Sequence, residues 1–401
     1  MNKVGNLRGK NILFLQGPMG YFFKNLDRRF RERGATTYKI GFNAGDRFFA
    51  FRDNYTPFRG KREHWNTFVK RFLKVNYIHK IFLFGDCRYY QSIAIIMAKE
   101  LGVEVYVFEE GYVRPHYITM EKFGVNDYSQ ISRKPEVYHQ LENTFLKTAF
   151  HAQQSKFNMV LSSTLYYLLA NIFHYSYPHY HHHRDFSAGK EFFYGIRAVF
   201  RKVLFSFKEK KYLKYIKEDI SKNYYFVPLQ THNDFQILQH SGYRSLEKFI
   251  IEVLESFALH APSKTFLLFK HHPVDRGRKN YQDFILEQAE LLEIEKRIIV
   301  VHDVYLPTCL QHAKATITIN STVGLTSIGY NIPTITLGNA IYDIEGLTAK
   351  GISLDSFWTK HQKPDAVLFQ KFRNYLIQKT QLNGSFYGRF PLEFENDEMY
   401  L

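Results

Sequence analysis

Two rhythms of apolar residues alternate along this chain. Short, nearly continuous apolar runs at 11–16, 37–41, 80–84 and 103–108 are separated by stretches at 22–32, 67–73 and 91–101 in which apolar positions recur every three or four residues. The continuous runs predict strands buried on both faces, and the 3.6-residue rhythm predicts helices, so this part reads as βαβ units on a parallel sheet. A second series of the same kind follows, with strands predicted at 224–229, 265–270, 298–301, 315–319 and 334–337 and helices at 245–259, 281–290, 306–312 and 322–330. Between the two, 135–223 is helical in propensity, crowded with Tyr, Phe, His and Lys, and lacks a strand signal. The pattern predicts an α/β protein with a Rossmann-like domain over 1–134, a helical, basic, aromatic-rich insert over 135–223, a second Rossmann-like domain over 224–360, and a helix with an irregular tail over 361–401.

In open α/β sheets ligands bind beyond the carboxyl ends of the strands, and the unusual residues of this chain fall there. After predicted strands come Gln16-Gly17-Pro18-Met19-Gly20, Phe42-Asn43-Ala44-Gly45-Asp46, Gly85-Asp86-Cys87-Arg88 and Glu109-Glu110-Gly111-Tyr112. The sharpest cluster is Lys270-His271-His272-Pro273-Val274-Asp275-Arg276-Gly277. Pro273 cannot continue a strand, so the chain turns and offers His272 and Lys270 at the strand's edge, a cation and an imidazole suited to phosphate. Asn320-Ser321-Thr322 lies between a strand and a helix, where Ser and Thr cap well and the free N–H groups of a helix start bind phosphate. Glu109 and Glu110 are neighbours on an extended chain and point to opposite sides, so one can face a site while the other holds the loop. With Asp234, just beyond the first strand of the second half, they could supply the two carboxylates that glycosyl chemistry uses. Taken singly, the plain readings are a polar turn, an ordinary helix cap and an acidic surface loop, the first made the weaker by the five polar or charged residues crowded into one turn.

Composition narrows the field. Over 401 residues, 45% hydrophobic and 17% aromatic content exclude a disordered chain, and two cysteines exclude a disulfide scaffold. The N-terminal apolar run flows into a Gly/Pro turn and reads as a first strand rather than a signal peptide. No stretch has the roughly 18 to 20 apolar residues that span a bilayer; the best, 159–173, is interrupted by Ser162, Ser163, Thr164 and Asn171. A formal net charge of +16 predicts an acidic partner. Part of that charge lies on a basic amphipathic helix, where Ile196, Phe200, Val203, Leu204 and Phe207 share a stripe and Arg197, Arg201, Lys202, Lys208, Lys210, Lys211, Lys214 and Lys217 surround it. That helix reads either as core-packed with a solvated basic face or as a surface for anionic headgroups. His174, His179, His181, His182 and His183 lack a carboxylate at metalloenzyme spacing, so no metal site is expected there. The chain has no G-x-S-x-G elbow and no Walker lysine loop.

The motifs also form an ordered set: Q-G-P-M-G at Gln16, F-N-A-G-D at Phe42, F-G-D-C-R at Phe84, F-E-E-G-Y-V-R-P at Phe108, Q-x-x-N-D at Gln230, K-H-H-P-V-D-R-G at Lys270 and T-I-N-S-T-V-G at Thr318. This set, spread over 11–387, resembles the KpsS-type capsule polysaccharide biosynthesis proteins of Gram-negative bacteria, which are similar to the KpsC family of retaining β-Kdo transferases. The resemblance implies a GT-B-like architecture of two Rossmann-like domains facing a cleft. It implies a retaining transfer of Kdo from CMP-Kdo to a phosphatidylglycerol or lyso-phosphatidylglycerol acceptor, starting the linker of a capsule chain. By the same resemblance His272, with Lys270 and Pro273, contacts the CMP phosphate, and Asn320, Ser321 and Thr322 add donors. Gly17 and Gln230, in the loops after the first strand of each half, complete the donor-binding candidates. Asp234 is the implied nucleophile, and Glu110, with Glu109 beside it, the implied base.

No cofactor or metal is expected, since His, Lys and a helix start can hold the leaving phosphate. The implied place is the cytoplasmic face of the inner membrane, as a peripheral protein, with a KpsC-like transferase and the capsule exporter as possible partners and no nucleic acid. A non-catalytic adaptor in capsule export is the alternative.

Overall fold

The computed structural model describes residues 3–51, 53–143, 146, 150–152, 154–180, 188–232, 237 and 241–394, and of 188–192 only the backbone. The chain divides into two compact units: Met1–Gln130 with Leu146–Ala188 and Tyr375–Leu401, and Ile131–Phe145 with Gly189–Asn374. The stretch read as an insert is therefore shared between the units, and so is the C-terminal stretch from 361.

The first unit begins β1 (Asn11–Phe14), α1 (Phe22–Glu32), β2 (Thr36–Gly41), α2 (Ala44–Phe48), β3 (Tyr55–Pro57), α3 (Trp65–Val75), β4 (Lys80–Phe84), α4 (Tyr89–Glu100), β5 (Glu104–Glu110) and β6 (Tyr117–Lys122). After α5 (Glu136–His139) of the second unit, α6 (Lys156–Ile172) returns to the first. The second unit then runs through α7 (Ala188–Lys208), α8 (Lys210–Glu218), β7 (Tyr224–Pro228), α9 (Leu246–His260), β8 (Phe266–Lys270), α10 (Gln282–Leu291), β9 (Ile298–Val301), α11 (Leu306–Gln311), β10 (Ala315–Thr318), α12 (Thr322–Gly329), β11 (Thr334–Thr336) and α13 (Leu354–Lys360). α14 (Ala366–Thr380) carries the chain on to β12 (Gln381–Asn383) in the first unit.

Both sheets carry the strand order of a doubly wound fold. The first is β3-β2-β1-β4-β5-β6-β12, parallel from β3 to β5 and antiparallel at β5–β6 and β6–β12. The second, β9-β8-β7-β10-β11, is parallel throughout. Each reverses its winding beside its first strand, between β1 and β4 and between β7 and β10, and these switch points are where such folds bind ligands. The α/β class and the two Rossmann-like units stand as expected.

The central strands form because their residues tolerate burial on both faces. In β4, Lys80-Ile81-Phe82-Leu83 is buried, as is all of Tyr224-Tyr225-Phe226-Val227-Pro228 in β7. The phenylalanine excess goes into the core of the first unit, where the Phe14 ring lies 5.3 Å from Phe23, 5.8 Å from Phe30 and 5.6 Å from Phe82. Side-chain N-caps set helix starts: Asn43 accepts from Asp46 N, Ser155 from Asn158 N, and Ser321 from Val323 N.

Candidate functional site

In the second unit the loops after β7, β8 and β10 leave adjacent strands side by side, and hydrogen bonds stitch them together. Gln230, buried just past β7, donates from Nε2 to Asn320 Oδ1 at 3.1 Å and accepts from Asn320 N at 3.4 Å. The pair bridges the switch point, directly before the Ser321-capped start of α12. Ser321 spends its Oγ on Val323 N and its carbonyl on Gly324 N. Thr322, the first helical residue, has neither its N–H nor its hydroxyl engaged among the described residues. At the other side of β7, His232 N donates to Asp275 Oδ2 at 2.8 Å and its Nδ1 lies 2.7 Å from Asp275 Oδ1. Asp275 is buried, so the His-Pro turn is held to the loop after β7 through two bonds to one carboxylate.

His272 caps that turn, its Nδ1 accepting from Val274 N at 3.2 Å, and Pro273 opens the short 3₁₀ helix Pro273–Gly277. The bond on Nδ1 places the ring proton on Nε2, which makes it the donor. Lys270 departs from the expectation. Its Nζ is buried and donates to the carbonyl of His302 at 3.0 Å, and burial lowers its pKa from the ordinary lysine value. With its ammonium buried and bonded to a backbone carbonyl, Lys270 is turned to the fold rather than offered at the strand's edge to a phosphate. His271 also turns inward: it stacks on His302 at 4.3 Å, and His302 stacks on Phe205 at 3.9 Å. Burial, with His302 and Lys270 nearby, pushes His271 down to about 3, so it stays neutral.

The first unit carries the acidic motif. Glu109 and Glu110 end β5 on opposite faces, as strand alternation requires. Glu110 Oε2 accepts from Gln154 Nε2 at 2.7 Å. Glu109 Oε1 accepts from Glu110 N at 3.0 Å. Burial raises Glu109 to about 7, with Glu110 and Asp86 adding to the rise against the opposing pull of Arg88 and the backbone bond. A carboxyl whose pKa lies near the working pH is well matched to general-base work, which makes Glu109 a candidate for that role. Gly111 has a packing cause: a Cβ there would lie 2.0 Å from the Tyr117 carbonyl oxygen across the β5–β6 turn.

Gly17 likewise makes room for a ring, since its Cβ would come 2.5 Å from Phe23. The motifs around it are absorbed by a buried polar network. Asp46 accepts from Phe42 N at 2.9 Å, Tyr166 Oη at 3.0 Å and Gln16 Nε2 at 3.2 Å, which ties α6 to the ends of β1 and β2. Burial raises the Asp46 pKa and lowers that of Lys39 to about 8, the Lys39 ammonium donating to the Leu15 carbonyl.

Asp234 and His181, His182 and His183 lie outside the described residues. Among the described residues no group of three or more His, Cys, Asp or Glu side chains is arranged to hold a metal ion. Sequence reading missed the His232–Asp275 pair, whose signal was a buried-type carboxylate inside a turn otherwise rich in cations.

Residues 79–387 match the family described as "Capsule polysaccharide biosynthesis protein". The chain belongs to that family. It is 37% identical over 381 residues to "Capsule polysaccharide export protein KpsS" of Escherichia coli, a match covering 95% of this chain and 98% of that protein. It is 36% identical over 419 residues to "Capsule polysaccharide modification protein LipB" of Neisseria meningitidis serogroup A, covering 99% and 97%. Among solved structures it is similar to the beta Kdo 2,7 transferase KpsC of Thermosulfurimonas dismutans, at 13% identity and a TM-score of 0.42 over 90% of this chain and 89% of that one. The span that matches this capsule biosynthesis family includes both the Glu109-Glu110 motif and the stitched loops of the second unit, whereas Gln16 and Asn43 precede it.

The basic helix of this family member breaks at Glu209, between α7 and α8. The Glu209 carboxylate is buried and accepts from His302 N and Asp303 N, each at 2.7 Å. With that acid turned inward, the outer face keeps its lysines and arginines. The apolar stripe is not core-packed, against the first of the two readings: Phe200 is 67% and Phe207 66% exposed, with Ile196 and Val203 also open. Among the described residues no helix is long and apolar enough to cross a membrane.

Proposed function

We propose that this chain is a glycosyltransferase that moves Kdo from CMP-Kdo to the hydroxyl of a phosphatidylglycerol-type lipid, with retention of configuration. The observation that carries this reading is the second unit's switch point, where the loop after β7 is bonded through Gln230 to Asn320, just before α12, and through His232 to Asp275 of the His-Pro turn. A helix start and an imidazole N–H on the loops to either side of the β7 loop suit the phosphate of a nucleotide-activated sugar, and they suit it more as it leaves with growing charge. The capsule family supplies the polysaccharide context, and the motif resemblance supplies Kdo as the sugar.

In this reading Thr322, the α12 start and His272 receive the CMP phosphate. Asp234, four residues after Gln230, attacks the anomeric carbon as the carbon–phosphate-oxygen bond breaks, leaving CMP and a Kdo ester on Asp234. The acceptor hydroxyl then attacks the same carbon, Glu109 takes its proton, and the Asp234 carboxylate is released. Two displacements return the original configuration. Binding to the cytoplasmic membrane surface through α7 and α8 brings the enzyme to its acceptor. The reading requires no metal for the leaving group.

Intact-protein mass spectrometry of the Glu109→Gln variant given CMP-Kdo tests the mechanism. The expected result is a mass gain of one Kdo that peptide mapping places on Asp234. An adduct mapped to another residue, or normal turnover by Asp234→Ala, removes that residue from the nucleophile role.

A further inference from the structure

The first unit has a polar concavity whose residues take no part in the proposed transfer. Along the exposed edge of β3 lies an open cleft of about 580 Å³, bordered by Arg47, Arg59, Tyr55, Tyr177, Asn54 and Asn76 among others, and no acidic side chain lines it. That volume is within the usual range of small-molecule sites, about 300–1,000 Å³.

Its chemistry is specific. The Arg47 guanidinium lies over the Tyr55 ring at 4.5 Å and that of Arg59 over Tyr177 at 5.7 Å. Neither has a carboxylate partner among the described residues, so two exposed cations are held by aromatic faces with their N–H groups open to a ligand. The amides supply the opposite polarity. Asn54 Nδ2 donates to the Thr37 carbonyl at 3.1 Å and Asn76 Nδ2 to the Phe72 carbonyl at 3.0 Å, which leaves both side-chain carbonyl oxygens as acceptors. The hydroxyls of Tyr55 and Tyr177 lie 3.1 Å apart. One of their two protons makes that bond, and the other remains to donate. Burial raises the Tyr55 pKa, so the phenol keeps its proton.

We propose that this cleft binds an acidic saccharide chain. Carboxylates would pair with Arg47 and Arg59, sugar hydroxyls would donate to Asn54 and Asn76, and the remaining tyrosine hydroxyl proton would donate to a sugar oxygen. A bare phosphate has no use for two carbonyl acceptors. A bilayer needs protruding apolar groups, whereas this surface is concave and polar. The open shape fits a chain passing along the β3 edge.

The test is fluorescence anisotropy with two labelled probes, the α2,8-linked tetramer of N-acetylneuraminic acid and tetragalacturonate, each also prepared as its neutral methyl ester. The expected result is binding of at least one acidic probe, loss of affinity by about tenfold or more in the Arg47→Met/Arg59→Met variant, equivalent to about 1.4 kcal/mol, and weak binding of the esters. Both arginines are exposed, and transfer by the variant in the CMP-Kdo assay should be unchanged, which separates this site from the transfer reaction. Binding of neither probe, equal binding of acid and ester, or affinity unchanged in the variant overturns the proposal. Equal competition by inorganic phosphate would reassign the cleft to a simple anion, and capture by phosphatidylglycerol vesicles through the same arginines without saccharide binding would reassign it to a lipid surface.

Discussion

Replacing Glu109 with Gln should make the protein more stable above neutral pH. Burial holds the Glu109 pKa at about 7, against the ordinary glutamate value of 4.5. Between those values the unfolded chain has lost the proton that the folded chain still binds, so stability falls as pH rises from 4.5 to about 7 and levels off above. At about 1.36 kcal/mol per pKa unit the ceiling is about 3 kcal/mol, and partial solvent access of this half-buried residue brings the expected figure nearer 1–2 kcal/mol. Gln keeps the shape of the neutral acid and can still accept from Glu110 N, but it cannot ionise. Urea unfolding of wild type and Glu109→Gln at pH 5, 6, 7 and 8 should therefore give curves that coincide at pH 5 and separate by pH 8, with the variant the more stable. The same variant should lose transfer activity by about 10²–10⁴-fold, the usual worth of a general base. Profiles that superimpose, or a variant less stable at pH 8, would show an ordinary ionised carboxylate and refute the argument for Glu109 as base.

Charge reversal of Lys208, Lys210, Lys211 and Lys214 to Glu should abolish sedimentation with phosphatidylglycerol vesicles, and wild-type binding should weaken with salt as screening shortens to about 10 Å at 0.1 M; unchanged binding would leave α7 and α8 a purely structural role. Transfer should survive EDTA if, as proposed, His272 and the α12 start receive the leaving phosphate; complete loss restored by Mg²⁺ or Mn²⁺ would give that role to an ion.

The buried parallel strands were legible because burial on both faces demands continuous apolar runs, and β1, β4, β7, β8 and β9 carry them. β3, β6 and β12 were not. β3 and β12 have three residues each at sheet edges, and β6 runs antiparallel with Thr119 and Glu121 in its middle, so its pattern is neither continuous nor helical. The loops of the candidate site were legible as clusters, since Pro273 and Ser321 announce a turn and a cap. The direction of each side chain was not: Lys270 reads as a site residue until the carbonyl of His302 is seen to claim it, and its neighbour His271 stacks inward on the His302 ring. The Glu209 break was hidden for the same reason, because a lone acid in a basic helix gives no sign that it caps Asp303 and His302 from a distance of some ninety positions.

The central claim is that this protein transfers Kdo to a glycerol-phospholipid. Its most direct test incubates purified protein with CMP-Kdo, generated in situ, and a fluorescent phosphatidylglycerol analogue, followed by mass spectrometry of the acceptor. The account predicts an acceptor heavier by one Kdo residue, with no such product from Asp234→Ala. An unmodified acceptor, under conditions where the protein demonstrably binds CMP, would contradict it and return the chain to the adaptor reading.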